Sequence, residues 1–258
     1  MSTFHAPLWI NKTCKSRSLV DVALMTARND PRYGSPEQIR AAHRRAVERA
    51  QDDAAQRARS AAQLAARLSQ PRGEPLLVHI CCGPCALYPL YYLAERGWDI
   101  TGFWYNPNIA PAGEYRERQA SAALLAELVP LRVVEPDDEG IFARAIQGQE
   151  RFGERCAICY QLRLERTAQE AAQLGLGVFS TSLLISPYQD IERIRAAGTA
   201  AAARHGVQFY DENLRRGYAQ RGPLARVWGM YLQNYCGCAW SAREAAERRG
   251  AVKTNADE

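Results

Sequence analysis

The chain has 258 residues, 47% of them hydrophobic, and a formal net charge of +5. That length suits one substantial core or two modest ones. No run approaches the roughly 18 uninterrupted apolar residues of a membrane span, and Met1-Ser2-Thr3-Phe4-His5-Ala6-Pro7 lacks the basic start and apolar stretch of a signal peptide, so a membrane partner is set aside and the cytoplasm is the expected compartment.

Charge is unevenly placed along the chain. Residues 1–75 hold 13 Arg/Lys against 7 Asp/Glu, whereas residues 76–258 hold 20 against 21. A basic front segment suits contact with a polyanion, and it equally suits a solubilising surface helix. Residues 1–34 show no sustained periodicity. Ser35-Pro36-Glu37-Gln38 predicts a helix start, with Ser35 at the N-cap and Pro36 at the first helical position. The Arg/Ala-rich stretch to Leu68 continues that helix, with Ile39, Val47, Leu64 and Leu68 as its large aliphatics. Pro71-Arg72-Gly73-Glu74-Pro75 then breaks it as a linker.

Beyond the linker the rhythm changes. Strands are expected at Leu76–Ile80, Trp98–Tyr105, Leu131–Val134, Gly177–Ser182 and Val207–Tyr210. Helices are expected at Cys85–Glu95, Tyr115–Leu128, Ile141–Ile146, Cys156–Leu174, Ile191–His205 and, at the end, Ala242–Arg248. Strands alternating with helices of this length predict an α/β fold: an open, mainly parallel sheet with helices on both faces. The expected organisation is an N-terminal extension over 1–75, an α/β catalytic domain over 76–252 and a tail over 253–258. Ligands of such sheets sit at the carboxyl ends of the strands. There the sequence places Cys81-Cys82-Gly83-Pro84-Cys85, Asn106-Pro107-Asn108, Ser182 to Tyr188, and Asp211.

Seven of the eight cysteines fall in three groups: Cys81, Cys82 and Cys85; Cys156 and Cys159; Cys236 and Cys238. In an intracellular chain such groups indicate metal or redox chemistry rather than structural disulfides. A structural zinc takes four ligands, a cubane iron–sulfur cluster up to four, and Cys82-Gly83-Pro84-Cys85 also has the form of a redox C-x-x-C. Seven thiolates suit a cluster with a second metal or with a redox pair. Cys14 stands alone and is read as non-functional.

Several stretches are familiar together. They are His79-Ile80-Cys81-Cys82-Gly83-Pro84-Cys85, Phe103-Trp104-Tyr105-Asn106-Pro107-Asn108-Ile109, Glu154-Arg155-Cys156-Ala157-Ile158-Cys159-Tyr160, Thr181-Ser182-Leu183-Leu184-Ile185-Ser186-Pro187-Tyr188, Gly217-Tyr218 and Gln233-Asn234-Tyr235-Cys236-Gly237-Cys238. Over roughly residues 76–242 the chain resembles the epoxyqueuosine reductases of the non-cobalamin, iron–sulfur type. The resemblance implies an adenine-nucleotide hydrolase-like fold, a [4Fe–4S] cluster and an additional iron ion held by the seven cysteines, and reduction of epoxyqueuosine in a tRNA anticodon loop to queuosine. An electron donor, not identified by the sequence, is a further implied partner. The family commonly has alanine where this chain has Gly83, and residues 1–75 have no counterpart in its compact members.

Opening the epoxide to an alkene consumes two electrons and two protons. Asp211 and Tyr218 are the candidates for proton delivery or for holding ribose. An extruded base needs an aromatic to stack on, which Trp104, Tyr105, Tyr188, Trp228 and Tyr235 offer, while Asn106, Asn108 and Ser186 are candidates to contact the substrate. Arg116, Arg155, Arg163 and Arg195 are candidate phosphate contacts. Two rivals are a zinc-stabilised RNA-binding module and a cysteine-dependent tRNA-thiolating enzyme. The second normally carries a Ser-Gly-Gly-x-Asp-Ser loop after the first strand, where this chain has its cysteines.

Overall fold

A computed structural model describes residues 73–136, 138 and 140–254, with scattered helical positions between 37 and 62. The chain divides into two compact units, Met1–Asp52 and Asp53–Glu258. In the first, Arg44, Arg45, Val47 and Arg49 are helical and exposed. Cys14, the expected helix start at Ser35-Pro36, and Ile39, Leu64 and Leu68 lie outside the described residues.

The second unit carries one five-stranded sheet: β1 (Pro75–His79), β2 (Asp99–Trp104), β3 (Leu131–Val133), β4 (Val178–Thr181) and β5 (Gln208–Phe209). The strand order is β3-β2-β1-β4-β5, and every pairing is parallel. Leu76, Leu77 and Val78 of β1 are all fully buried. An unbroken apolar run is what a central parallel strand needs, since both its faces are covered.

The helices are α1 (Gly83–Glu95), α2 (Ala112–Ala123), α3 (Ile141–Ala145), α4 (Glu154–Gln173), α5 (Ile191–His205), α6 (Arg221–Val227) and α7 (Ala239–Thr254). From β1 the chain steps to β2 and β3 on one side of the sheet, then returns to β4 and β5 on the other. Right-handed crossovers therefore place α1 and α2 on one face, α4 and α5 on the opposite one. Packing agrees: α1 meets α2 and α6, whereas α4 meets α5, β1 and β4. Tyr160, Leu164, Ala168 and Ala171 form the buried stripe of α4, spaced as one helical face must be. Full burial of a side chain such as Leu164 contributes about 1.5–3 kcal/mol.

The expected elements recur with shifted ends. The helix expected over Tyr115–Leu128 begins at Ala112 and gives way to a 3-10 turn at Leu124–Glu127. The terminal helix extends past both expected ends, from Ala239 to Thr254. Sequence reading missed the 3-10 turn Arg215–Gln220 and α6, because Gly217, Gly222 and Pro223 have loop composition. Pro223 lies in the first turn of α6, where a missing N–H costs nothing.

Order reverses between β1 and β4, so the crevice at their carboxyl ends is the topological switch point. His79 ties that edge together. Its Nε2–H donates to the Tyr105 carbonyl at 3.2 Å, which leaves Nδ1 to accept from the Thr181 hydroxyl at 2.9 Å. Three strand ends are thus joined by one neutral imidazole.

Candidate metal centre and substrate cavity

β1 delivers the chain directly into the first cysteine loop. Cys82, in extended conformation, sits at the N-cap of α1, and Pro84 lies in the first turn. Gly83 is required here by contact: a Cβ would fall 2.7 Å from the Ser121 carbonyl oxygen and 3.0 Å from Met230 Sδ. Even the smallest side chain is therefore not a neutral exchange at this position. The first turn of a helix presents free N–H groups, which favour anionic sulfur.

The sulfurs of Cys81, Cys82 and Cys85 all lie within 4.8 Å of one another. Cys81 is held by Ser182, whose Oγ accepts from the Cys81 amide at 2.9 Å and donates its hydroxyl to Cys81 Sγ at 3.2 Å. Hydrogen bonds from Cys82 and Cys85 hold the Cys81 thiol well below its ordinary range, against the effect of burial. Burial and the neighbouring Cys81 push Cys82 up, and hydrogen bonds with Cys81 and Cys82, followed by burial, push Cys85 up. Gln233 completes the wall, its Nε2 donating to Cys82 Sγ at 2.6 Å and lying 3.8 Å from Cys85 Sγ.

These thiols open into a cavity of about 810 Å³, within the range of about 300–1,000 Å³ usual for small-molecule sites. Cys156, Cys159, Cys236 and Cys238 also line it, as do Asn108, Ser186, Tyr188, Tyr218 and Tyr235. Tyr188 and Tyr218 meet edge to face with centroids 5.7 Å apart. Trp104, Tyr105, Asn106 and Asp211 are not part of the lining. Trp104 is fully buried, its Nε1 donating to Tyr115 Oη at 2.9 Å. Asn106 clasps the Ile80 carbonyl through Nδ2 at 2.8 Å, Asp211 forms an ion pair with Arg195 at 2.7 Å, and Trp228 is core.

Of the arginines expected at phosphates, Arg155 and Arg163 line the cavity and also bond to protein partners. Arg163, 2% exposed, donates from Nε to the Cys159 carbonyl at 3.2 Å, and Arg155 holds Glu244 at 2.6 and 2.7 Å. Sequence reading passed over Arg118, which donates to the carbonyls of Cys236 at 2.8 Å and Tyr235 at 3.0 Å and so fixes the last cysteine loop. A lone arginine in an exposed-looking helix gives no signal for this. Gln233 and Gln189 were also missed, although Gln233 opens the Gln-Asn-Tyr-Cys stretch. Gly237 has a φ of +134°, and a Cβ there would meet Arg118 Nη1 at 3.0 Å and Ile109 Cγ1 at 3.2 Å.

The expectation of a [4Fe–4S] cluster with an additional iron, held by seven cysteines, is corrected by this geometry. Among the described residues, the cysteines close enough to hold one ion are Cys81, Cys82 and Cys85. A cubane takes four cysteine ligands. Three thiols with room for a further ligand match a single-ion site. In that respect the zinc-type alternative described the donor set better.

A family model for the epoxyqueuosine reductase QueH matches residues 76–244. The chain belongs to this family. It is therefore an oxidoreductase, and the iron–sulfur qualifier attached to the resemblance is the part that falls away. Similar proteins include the epoxyqueuosine reductase QueH of Thermotoga maritima, 36% identical over 69% of this chain and 95% of the relative. The same-named protein of Dehalococcoides mccartyi is 36% identical over 66% and 93%, and that of Histophilus somni 33% over 72% and 79%. Among the described residues no helix is long and apolar enough to cross a membrane.

Proposed function

We propose that the chain reduces epoxyqueuosine in the anticodon loop of tRNA to queuosine, with Cys81, Cys82 and Cys85 as its reactive centre. The observation that carries this reading is the convergence of three thiols on one cavity at the switch point, in a member of the QueH family. Conversion of the epoxide to an alkene, with oxygen leaving as water, takes up two electrons and two protons. The electrons come from an external donor.

The trio has the donor set for one metal ion, and such an ion, when bound, supplies an electron-pair acceptor for the epoxide oxygen. Ser182 donates to Cys81 Sγ and, with the two neighbouring thiols, favours its thiolate form. Burial raises the Tyr218 hydroxyl above its ordinary range, so it keeps its proton at neutral pH and suits delivery to the leaving oxygen or a contact to ribose. Ser186 and Tyr188 meet the substrate where it enters. Asn106, which follows Trp104 and Tyr105 in the chain, holds the Ile80 carbonyl beside the cysteine loop, and Asp211 pairs with Arg195.

The sheet order and its reversal between β1 and β4 support reading the fold as adenine-nucleotide hydrolase-like. The cytoplasm, which keeps thiols reduced, is the compartment this chemistry requires. Residues 1–75 are read as an extension whose exposed Arg44, Arg45, Arg49 and Arg59 add phosphate contacts.

The test combines metal analysis with mass spectrometry of tRNA nucleosides after anaerobic reaction with a reductant. Queuosine should form with about one metal ion per chain and no acid-labile sulfide. Persistent epoxyqueuosine, with tRNA bound and the thiol site filled, rejects the reading.

A further inference from the structure

Six large hydrophobic side chains are exposed among the described residues, and the two most exposed are Tyr188 at 74% and Phe152 at 71%. Both line the thiol cavity. Scattered exposed apolar side chains are ordinary on a protein surface. The two extremes falling on the same rim are not scattered.

Nor is either ring on loose chain. Gly153 has a φ of +91°, a conformation that favours glycine, and this sharp turn into α4 presents Phe152 outward. The turn is anchored on both sides: the Glu150 carbonyl accepts from Arg155 Nη1 at 2.8 Å, and the Gly153 carbonyl accepts from Arg193. In a separate segment of the lining, Arg215 clamps the Tyr188 loop through the carbonyls of Ser186 at 3.3 Å and Gln189 at 2.5 Å. Two guanidinium groups lie close to this group of aromatics. The Arg155 guanidinium lies 5.6 Å from the Phe152 centroid, and Arg221 lies 5.3 Å from that of Tyr218, the edge-to-face partner of Tyr188.

Rings held out in water, with the Arg221 guanidinium close to Tyr218, suit one ligand chemistry: unpaired nucleotides, whose bases stack on aromatics. We infer that Phe152 and Tyr188 form a two-sided stacking clamp for bases of a single-stranded RNA loop, Phe152 taking a base next to the one that enters the cavity. This rests on the proposed tRNA substrate and adds to it a residue, Phe152, that contacts nucleotides away from the reacting ring. A paired duplex presents no free base faces and is not held by the clamp.

The test is binding of the full chain to a hairpin RNA with 2-aminopurine in its loop, beside a fully paired duplex of equal length. Phe152→Ala should weaken hairpin binding by ~5- to 100-fold, the equivalent of one lost base–aromatic stack, and relieve 2-aminopurine quenching. Duplex binding should stay unchanged, and Phe152→Trp should restore the hairpin affinity. Thermal melting reports whether the variant is folded, which its exposed position leads us to expect. Unchanged hairpin affinity in folded Phe152→Ala, or an equal loss toward hairpin and duplex, overturns the clamp. Because the hairpin carries no epoxide, a chain that binds as stated yet never forms queuosine refutes the proposed reaction and leaves the clamp standing.

Discussion

Cys81, Cys82 and Cys85 lie on a single loop whose sulfurs meet within 4.8 Å, while Cys156, Cys159, Cys236 and Cys238 come from two segments far apart in the chain and line the same cavity without forming such a group among the described residues. The second set has scaffold partners. Cys159 and Cys238 belong to a small apolar cluster with Phe142 and Ile146, and burial pushes the Cys159 thiol up to about 12. Cys238 Sγ accepts from the Ser241 amide at 3.4 Å, capping the start of α7. Gln189 donates to Cys236 Sγ at 3.4 Å. A short loop at a helix start thus brings three sulfurs together, whereas Cys159 and Cys238 pack in an apolar cluster at the wall of the same cavity.

The sharpest way to break this contrast is substitution within the trio. Cys82→Ser should lower turnover by more than ~100-fold, beyond the 10–100-fold that loss of a supporting partner typically costs, with loss of the bound ion by elemental analysis. Full activity in that variant would remove the trio from the chemistry.

Next in size is the pH response of the sheet edge that leads into the Cys81–Cys85 loop. Burial, aided by Arg163, lowers the His79 pKa from 6.5 to about 4. Between those values the unfolded chain binds the proton and the folded chain does not, so stability falls as pH drops from about 6.5 through 4. The full loss is about 3 kcal/mol. Urea denaturation across that window should show this slope, and His79→Gln should flatten it.

Gly83→Ala places a methyl against the Ser121 carbonyl, an overpacking expected to cost about 1–3 kcal/mol in denaturant midpoint. A smaller effect belongs to the scaffold set. Cys238→Ser retains a capping acceptor, so stability should change by less than about 0.5 kcal/mol and the trio should keep its ion. A lost ion in Cys238→Ser would merge the two sets into one centre.

Much of the fold was readable in order along the chain. The apolar run Leu76–Ile80, the apolar face of α4 and the loop residues at each strand end were enough to expect a parallel sheet with a site on one edge. The less regular part, Arg215–Gln220 and α6, was not readable, because its glycines and Pro223 match a loop as well as a short helix. Within the site, Cys81, Cys82 and Cys85 were legible from spacing alone. Arg118 and Gln233 were not, since their partners, the Cys236 carbonyl and Cys82 Sγ, lie more than a hundred residues away in sequence.

By itself, then, the sequence determined local matters: which segments form strands and helices, which loops carry sulfur, and which family motifs are present. Tertiary structure decided how many of those sulfurs face one another, which aromatics are core and which stand at the rim, and which arginines are buried under the cysteine loops. The physical reason is range. Periodicity, capping and turn chemistry act over a few residues, whereas a donor set is fixed by distances of a few ångströms between groups that only the closed sheet brings together.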